Sequence, residues 1–478
     1  MSNKPLWQAE EVIRAVNGRC LHEQSWDAYG VSIDSRTTAK GDLFIAMQGA
    51  IHDGHDQLAA AFAAGASAAL VARQPKFAPP GVPLVFVENT LLALQNLGRI
   101  ARVRAQGKII AITGSVGKTG TKEMLRLSLG AVGQVYANPD DSAKAWSLPL
   151  ALARFPPDAN YGIFEVGVSR KGELAALSSF IRADIAVITS VDAVHLEYFD
   201  SMEALTDAKA EIFQGMTKNG IVILDRDNPY CTRLARAAKK QGIKNILSFS
   251  EKSKADAILC DCALTKEGCD IKALIKGREI SYSIGASGRH IVKNSLAALL
   301  ASLSASGKLE ECAAALPHYS PSAGCGVIYE IYLPGKGPFR LIDESRSAAP
   351  VSVRAAIRVL ASAEPMFNER RILVLGDMDE LGTTAPELHM GLVPDIKEAA
   401  IDLVFCCGDT IRYLYDALPE NMRGAYAVNS EELAKCVVQA VRASDILTVK
   451  GSESMEMGRI VDVLKALDIQ SQRQSVNG

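Results

Sequence analysis

Short apolar runs rich in β-branched residues recur along this chain, and most end in Gly, Asp or a polar turn before helically spaced apolar positions begin. Runs at 109–112, 162–166, 185–189 and 220–224 read as buried strands with helical patterns between them. A second series, at 339–343, 371–377, 403–409 and 446–452, repeats the arrangement. Strands that alternate with helices predict mostly parallel sheets covered on both faces. Ligands of such sheets gather at the carboxyl ends of the strands, where Glu165, and His195 shortly after the next strand, are expected.

Ahead of these, residues 31–36 alternate like a strand and lead into the apolar run 42–46. An Ala-rich helix and a strand at 69–71 follow. Between them His52, Asp53, His55 and Asp56 stand among Gly49 and Gly54. That mixture reads as a polar loop, because metal sites favour helix or strand supports. The predicted units are 1–106, 107–316 and 317–478, without repeats or low-complexity segments.

The stretch with the clearest chemistry is Gly114-Ser115-Val116-Gly117-Lys118-Thr119, set between the run at 109–112 and a helical pattern carrying Met124, Leu125, Leu127 and Leu129. A strand, a Gly turn and a helix start place backbone N–H groups and a helix N-terminus around one point, which favours an anion. Lys118 adds a point charge for outer phosphates, and the Thr119 hydroxyl is placed to ligate Mg²⁺. The spacing is the tight GxxGKT; the longer P-loop pattern would need Gly where Ile112 stands. The predicted fold class is α/β: a central P-loop-type mostly parallel sheet flanked by helices, a C-terminal doubly wound (Rossmann-like) domain and a small N-terminal α/β domain.

Composition narrows this without redirecting it. A length of 478 residues, 48% hydrophobic and 22% charged, describes several ordinary globular domains. A net charge of −2 gives no electrostatic reason to expect nucleic acid. The ten cysteines lack metal-ligand spacing and read as reduced thiols. The first fifteen residues carry no secretory pattern, and the Ala-rich run 58–72 is too short and too weakly apolar to span a bilayer. A cytoplasmic monomer is expected.

The motifs resemble those of the Mur ligases of peptidoglycan synthesis over nearly the whole length. In the first unit the resemblance rests on Asp34-Ser35-Arg36, Gly41-Asp42-Leu43-Phe44 and Asp53-Gly54-His55. In the centre it rests on TGSVGKTGTKE, Glu165, VHLEYFDSMEALTDAKAEIF from Val194 to Phe213, and GRHIVKNSLAA from Gly288 to Ala298. In the last unit it rests on VLGDMDELG from Val374, His389, and VKGS from Val449. Within the family, the pattern is nearest to the branch that joins D-alanyl-D-alanine to UDP-N-acetylmuramoyl-tripeptide with ATP.

The resemblance implies a UDP-sugar-binding first domain contacting substrate through Ser35 and Arg36, a central ATP-binding domain, and a last domain for the incoming amine. Gly114, Ser115, Val116, Gly117, Lys118 and Thr119 would hold the ATP phosphates. Thr119, Glu165, His195 and Lys209 would surround Mg²⁺, Lys209 as a carbamate. Asn294 would face the adenine and Asp343 the nucleotide; Lys118, Lys209 and His195 would be the catalytic set. The chain departs from the pattern at Ala143, Lys144 and Ser147, at Ser169-Arg170, at Ile291, at Cys325, and at Arg346-Ser347-Ala348-Ala349. Two readings follow: a working ligase whose contacts are re-routed through Lys144, Arg170 and Arg346, or a diverged paralogue that binds nucleotide or UDP-sugar.

Overall fold

A computed structural model describes residues 4–20, 25–49, 52–139, 144–194, 196–265, 268–363 and 370–468. Three sheets follow one another along the chain. The first has five strands and spans Arg19–Cys20 to Leu84–Phe86, with a two-stranded ribbon, Trp7–Gln8 against Asp27–Ala28, beside it. The expected strand at 31–36 is shorter and earlier, Gly30–Ser32. Asp34 ends it by accepting the Arg36 N–H at 3.0 Å, an Asx turn that draws the backbone out of the sheet. The Ala-rich run divides at Gly65, whose φ of +102° breaks helix Leu58–Ala63 from strand Ala68–Val71.

The middle sheet has nine strands. Val135–Ala137, Tyr161–Glu165, Lys108–Thr113, Ile185–Ile188, Ile221–Asp225, Asn245–Ser250 and Ala257–Leu264 run parallel in that order across it. Cys269–Ile275 and Arg278–Ile284 extend its edge antiparallel. The central strands are buried on both faces, which is why they read as continuous apolar runs. Helices Lys118–Gly130 and Arg289–Ser306 pack on one face through Met124, Leu125, Leu296 and Leu300. Leu174, Leu205 and Phe213 cover the other.

The last sheet has six strands, five of them parallel, with Ile446–Lys450 at its centre between Gly337–Glu344 and Arg371–Gly376. Strand Leu403–Cys407 buries both Cys406 and Cys407, and burial pushes their thiols up, that of Cys407 to about 12. No disulfide forms among the described cysteines.

Contacts join the domains. The Trp7 indole donates to the Ala153 carbonyl at 2.8 Å, and Arg154 donates to that of Val31 at 2.6 Å. Within the first domain, the Arg104 guanidinium lies 3.8 Å above the Trp7 ring beside that seam. On the other side, Glu197 N–H donates to the Glu380 carbonyl at 3.0 Å, linking the middle and last domains. No described helix is long and apolar enough to cross a membrane.

Candidate active site

The central strand Lys108–Thr113 delivers loop 114–117 to the helix that begins at Lys118. Both glycines of the loop are sterically required. A Cβ on Gly114 would lie 2.0 Å from Thr189 Oγ1, and one on Gly117 would lie 2.6 Å from Asn294 Nδ2. Gly117 caps the helix at a φ of +82°, a conformation an L side chain rarely adopts. Helix Arg289–Ser306 brings the Asn294 amide, which the resemblance has facing the adenine, against Gly117 of the loop. Lys118 Nζ donates to the Gly114 carbonyl at 3.3 Å, curling back over the loop.

Glu165 ends the neighbouring strand and is almost wholly buried. Three residues hold it. Thr119 Oγ1 donates to Oε1 at 2.9 Å. Lys122 Nζ lies 3.0 Å from Oε2 with both side chains at most 5% exposed, yet without an aligned hydrogen bond to that oxygen. The Asn138 amide donates to the Glu165 carbonyl at 3.1 Å and accepts its N–H at 2.8 Å. Sequence reasoning missed Lys122 and Asn138. Lys122 gave a usable signal, a cation one helical turn past Thr119 on the buried side of an amphipathic helix. Asn138 gave none, because 27 residues separate it from its partner.

Lys209 lies on helix Met202–Ala210 and is 1% exposed. Its neighbours Asp207 and Glu211 have other partners: Asp207 pairs with Arg233 at 2.7 Å, and Glu211 accepts the N–H groups of Gly172 and Ala175. The Lys209 charge acts instead on the carboxyl of Asp192. His195, the other expected ligand, lies outside the described residues, as does Ala143. The residues present suit a hard cation: a hydroxyl and a carboxylate in contact at the helix start, one buried carboxylate oxygen lacking an aligned donor.

A cavity of about 310 Å³ opens onto Glu165. Gln95 of the first domain forms one wall, while Ser147, Pro149, Glu173 and Phe180 of the middle domain form the others. Lys144 also lines it, its ammonium 5.3 Å from the Trp146 ring. At Ser169-Arg170 both N–H groups donate to Glu173.

Ser35 and Arg36 stand in the turn after strand Gly30–Ser32. Arg36 folds back on Asp34 at 2.6 Å and holds that carboxyl down, at about 2. His55, beside them in the polar loop, is buried and structural: its Nδ1 faces Asp53 at 2.6 Å, and Nε2 accepts the Ala72 N–H. Among the described residues no group of three or more His, Cys, Asp and Glu side chains is placed to hold a metal.

In the last domain Asp343 shapes the backbone. It accepts the N–H groups of Gly324 at 3.0 Å and Ser345 at 3.1 Å, and the Ser345 hydroxyl at 2.6 Å. These bonds fold 324–326 beside Arg346, whose N–H donates to the Gly324 carbonyl. Lys450 is buried and donates to Glu344 at 3.1 Å and to the Ser347 carbonyl at 2.8 Å. Burial raises the Cys325 thiol, while Arg346 and Lys450 oppose the rise.

Three family models match the chain: "Mur ligase family, catalytic domain" over residues 27–100, "Mur ligase middle domain" over 112–302 and "Mur ligase, glutamate ligase domain" over 332–453. The UDP-N-acetylmuramoyl-tripeptide–D-alanyl-D-alanine ligase of Rickettsia prowazekii is 33% identical over 432 residues, 90% of this chain and 94% of the relative. Its namesake in Bacillus subtilis is 29% identical over 94% of this chain and 96% of the relative. Among solved structures, MurF from Acinetobacter baumannii is similar with a TM-score of 0.82 and 25% identity, over 96% of this chain and 99% of that one. MurF ligase from Thermotoga maritima shares the fold, with a TM-score of 0.75 and 22% identity, over 92% of this chain and 97% of that one.

Proposed function

The chain belongs to the Mur ligase family, and we propose that it joins D-alanyl-D-alanine to UDP-N-acetylmuramoyl-tripeptide at the expense of ATP. The observation that carries this reading is the phosphate loop bonded to Glu165 at the end of a cavity between the first two domains. The tripeptide's terminal carboxylate attacks the γ-phosphorus, giving an acyl phosphate and ADP. The amine of D-alanyl-D-alanine then attacks the acyl carbon, and inorganic phosphate leaves as the amide forms.

A carboxylate and a triphosphate repel each other, so the first step needs concentrated positive charge. Lys118 and the first turn of its helix supply part of it. Thr119, Glu165, His195 and Lys209 are the residues that would hold magnesium, which when bound neutralises phosphate charge. Asn138 and Lys122 keep Glu165 facing Thr119. Asn294, which stands against the loop, would face the adenine. Asp343 serves the nucleotide through the turn that it shapes.

The first domain, 1–106, holds the UDP-sugar with Ser35 and Arg36 at its surface; 107–316 binds ATP; 317–478 brings the amine. The acyl phosphate must be kept from water, and the last domain, already touching the middle one at Glu197 and Glu380, is the part placed to cover it. The reading puts the protein in the cytoplasm as a monomer, where ATP and UDP-sugars are found.

The test is ATP-dependent phosphate release, with UDP-linked tripeptide and D-alanyl-D-alanine supplied singly and together. Release only with both is expected. Release no higher than that of the Lys118→Ala protein, at millimolar ATP with both substrates, overturns the reading in favour of a diverged binding protein.

A further inference from the structure

The phosphate loop is unusually short, and its own amides do not all face the ligand side. Ser115 N–H donates to the Ser190 carbonyl at 3.0 Å, and Val116 N–H donates to Ser190 Oγ at 3.2 Å. Thr189 Oγ1 donates to the Val116 carbonyl at 2.6 Å. Ser115 Oγ in turn donates to the Asp192 carbonyl and accepts the Asp192 N–H, both at 2.9 Å. The segment 189–192, which leaves the strand Ile185–Ile188, thus grips Ser115 and Val116 from both sides.

A hydroxyl that accepts from an amide must send its own proton elsewhere. For Ser190 the neighbouring acceptor is the Asp192 carboxyl, whose charged form the Ser190 hydroxyl favours; the Asp192 backbone is already fixed by Ser115 Oγ. Asp192 is half-buried and faces the charges of Lys293 and Lys209. Lys293 is itself held at 2.7 Å by Asp225, at the end of strand Ile221–Asp225. With Ser115 and Val116 committed, anion binding falls to the helix's first turn, ahead of its first internal bond from Thr121 N–H to the Gly117 carbonyl.

We infer that Ser190 and Asp192 are positioning residues of the phosphate loop, the Asp192 carboxylate orienting the Ser190 hydroxyl and that hydroxyl holding Val116 N–H. The inference rests on the nucleotide-binding reading of the loop and adds two residues that no motif in the chain singled out. Neither residue touches the nucleotide; both act through the backbone of residues 115–116.

Calorimetric titration of the full chain with ADP tests this without requiring ligation. Ser190→Ala and Asp192→Ala should each weaken ADP by about five- to tenfold, the worth of one hydrogen bond. Because they act in series, the double variant should be no weaker than the worse single one. Asp192→Asn keeps an acceptor and Ser190→Thr keeps the hydroxyl, so both should bind nearly as the parent does. Thermal midpoints should stay within a few degrees of the parent. Unchanged ADP affinity in Ser190→Ala, or strictly additive losses, overturns the inference. A parent protein that fails to bind ADP would sink the nucleotide reading itself, before any variant is compared.

Discussion

Thr119 donates its hydroxyl hydrogen to Oε1 of Glu165 at 2.9 Å, so the last residue of the phosphate motif is bonded to the carboxylate ending the adjacent strand. In the proposed reaction the pair would link its two requirements, anion binding and cation binding, through one contact. Lys118 stands one residue earlier on the same helix start. Lys118→Ala should abolish ATP-dependent phosphate release, a fall of at least about a hundredfold. The far-UV circular dichroism should be unchanged, since the residue is only partly buried. Unaltered turnover in a folded variant would refute the phosphate-loop assignment.

Lys122 and Glu165 form a buried pair, and buried pairs are sensitive to loss of one partner. Lys122→Met should lower unfolding stability by about 3 kcal/mol, because the buried Glu165 carboxyl loses its partner. Lys122→Met combined with Glu165→Leu should recover most of that loss in chemical denaturation, though not activity. A single variant as stable as the parent would show that Thr119 and Asn138 suffice to hold Glu165.

His389 sits buried as a neutral ring: Met378 N–H donates to Nε2 at 3.0 Å, and Nδ1 faces the Ala385 carbonyl at 2.7 Å. Burial lowers its pKa, with the Ala385 carbonyl and the charges of Asp377 and Asp379 opposing the fall. The unfolded chain therefore takes up the proton first. The stabilisation is present above about pH 6.5 and is lost as pH falls from there toward the folded value, at up to about 1.4 kcal/mol per pH unit. His389→Gln should flatten that acid limb in unfolding curves measured between about pH 7 and pH 5. A limb of the same slope in both proteins would exclude His389 as its source.

Lys209 is buried in the interior with its charge acting on Asp192. If it works as a carbamate, turnover should rise with bicarbonate and fall at acidic pH, because only the neutral amine captures carbon dioxide. Gentle intact-mass measurement should show the added carbon dioxide, absent in Lys209→Met. A fully active protein with an unmodified lysine would eliminate the carbamate.

Arg346 is exposed, with its backbone N–H tied to Gly324 and its side chain beside Cys325. Its removal should leave stability unchanged. If it supplies a replacement charge to the ligand, Arg346→Ala should lower kcat/KM by about tenfold or more. Equal kinetics in parent and variant would assign it to the solvated surface.

The strand-turn-helix frame was legible because a sheet buried on both faces writes itself as apolar runs, and Gly114 and Gly117 mark where backbone and side chains crowd. Glu165 was legible as a polar residue ending such a run. Of the residues that hold it, Thr119 stood in the motif and Lys122 carried a helical-spacing signal, but Asn138 was not legible. Asn138 and Asp192 meet their partners only after crossovers, and local spacing carries no record of a contact made across a sheet. The strand expected at 31–36 failed for a local reason, since the Asx turn at Asp34 outweighs the alternation of the side chains around it.

The Trp7 indole bonded to Ala153, with Arg104 stacked on its ring, also bears on how the molecule melts. A side chain near the start of the chain is part of the middle domain's packing, so the first domain cannot loosen without exposing that seam to water. Heating should carry the first two domains through a single cooperative transition, leaving the last domain to give its own. Calorimetrically, the three sheets should amount to two melting units.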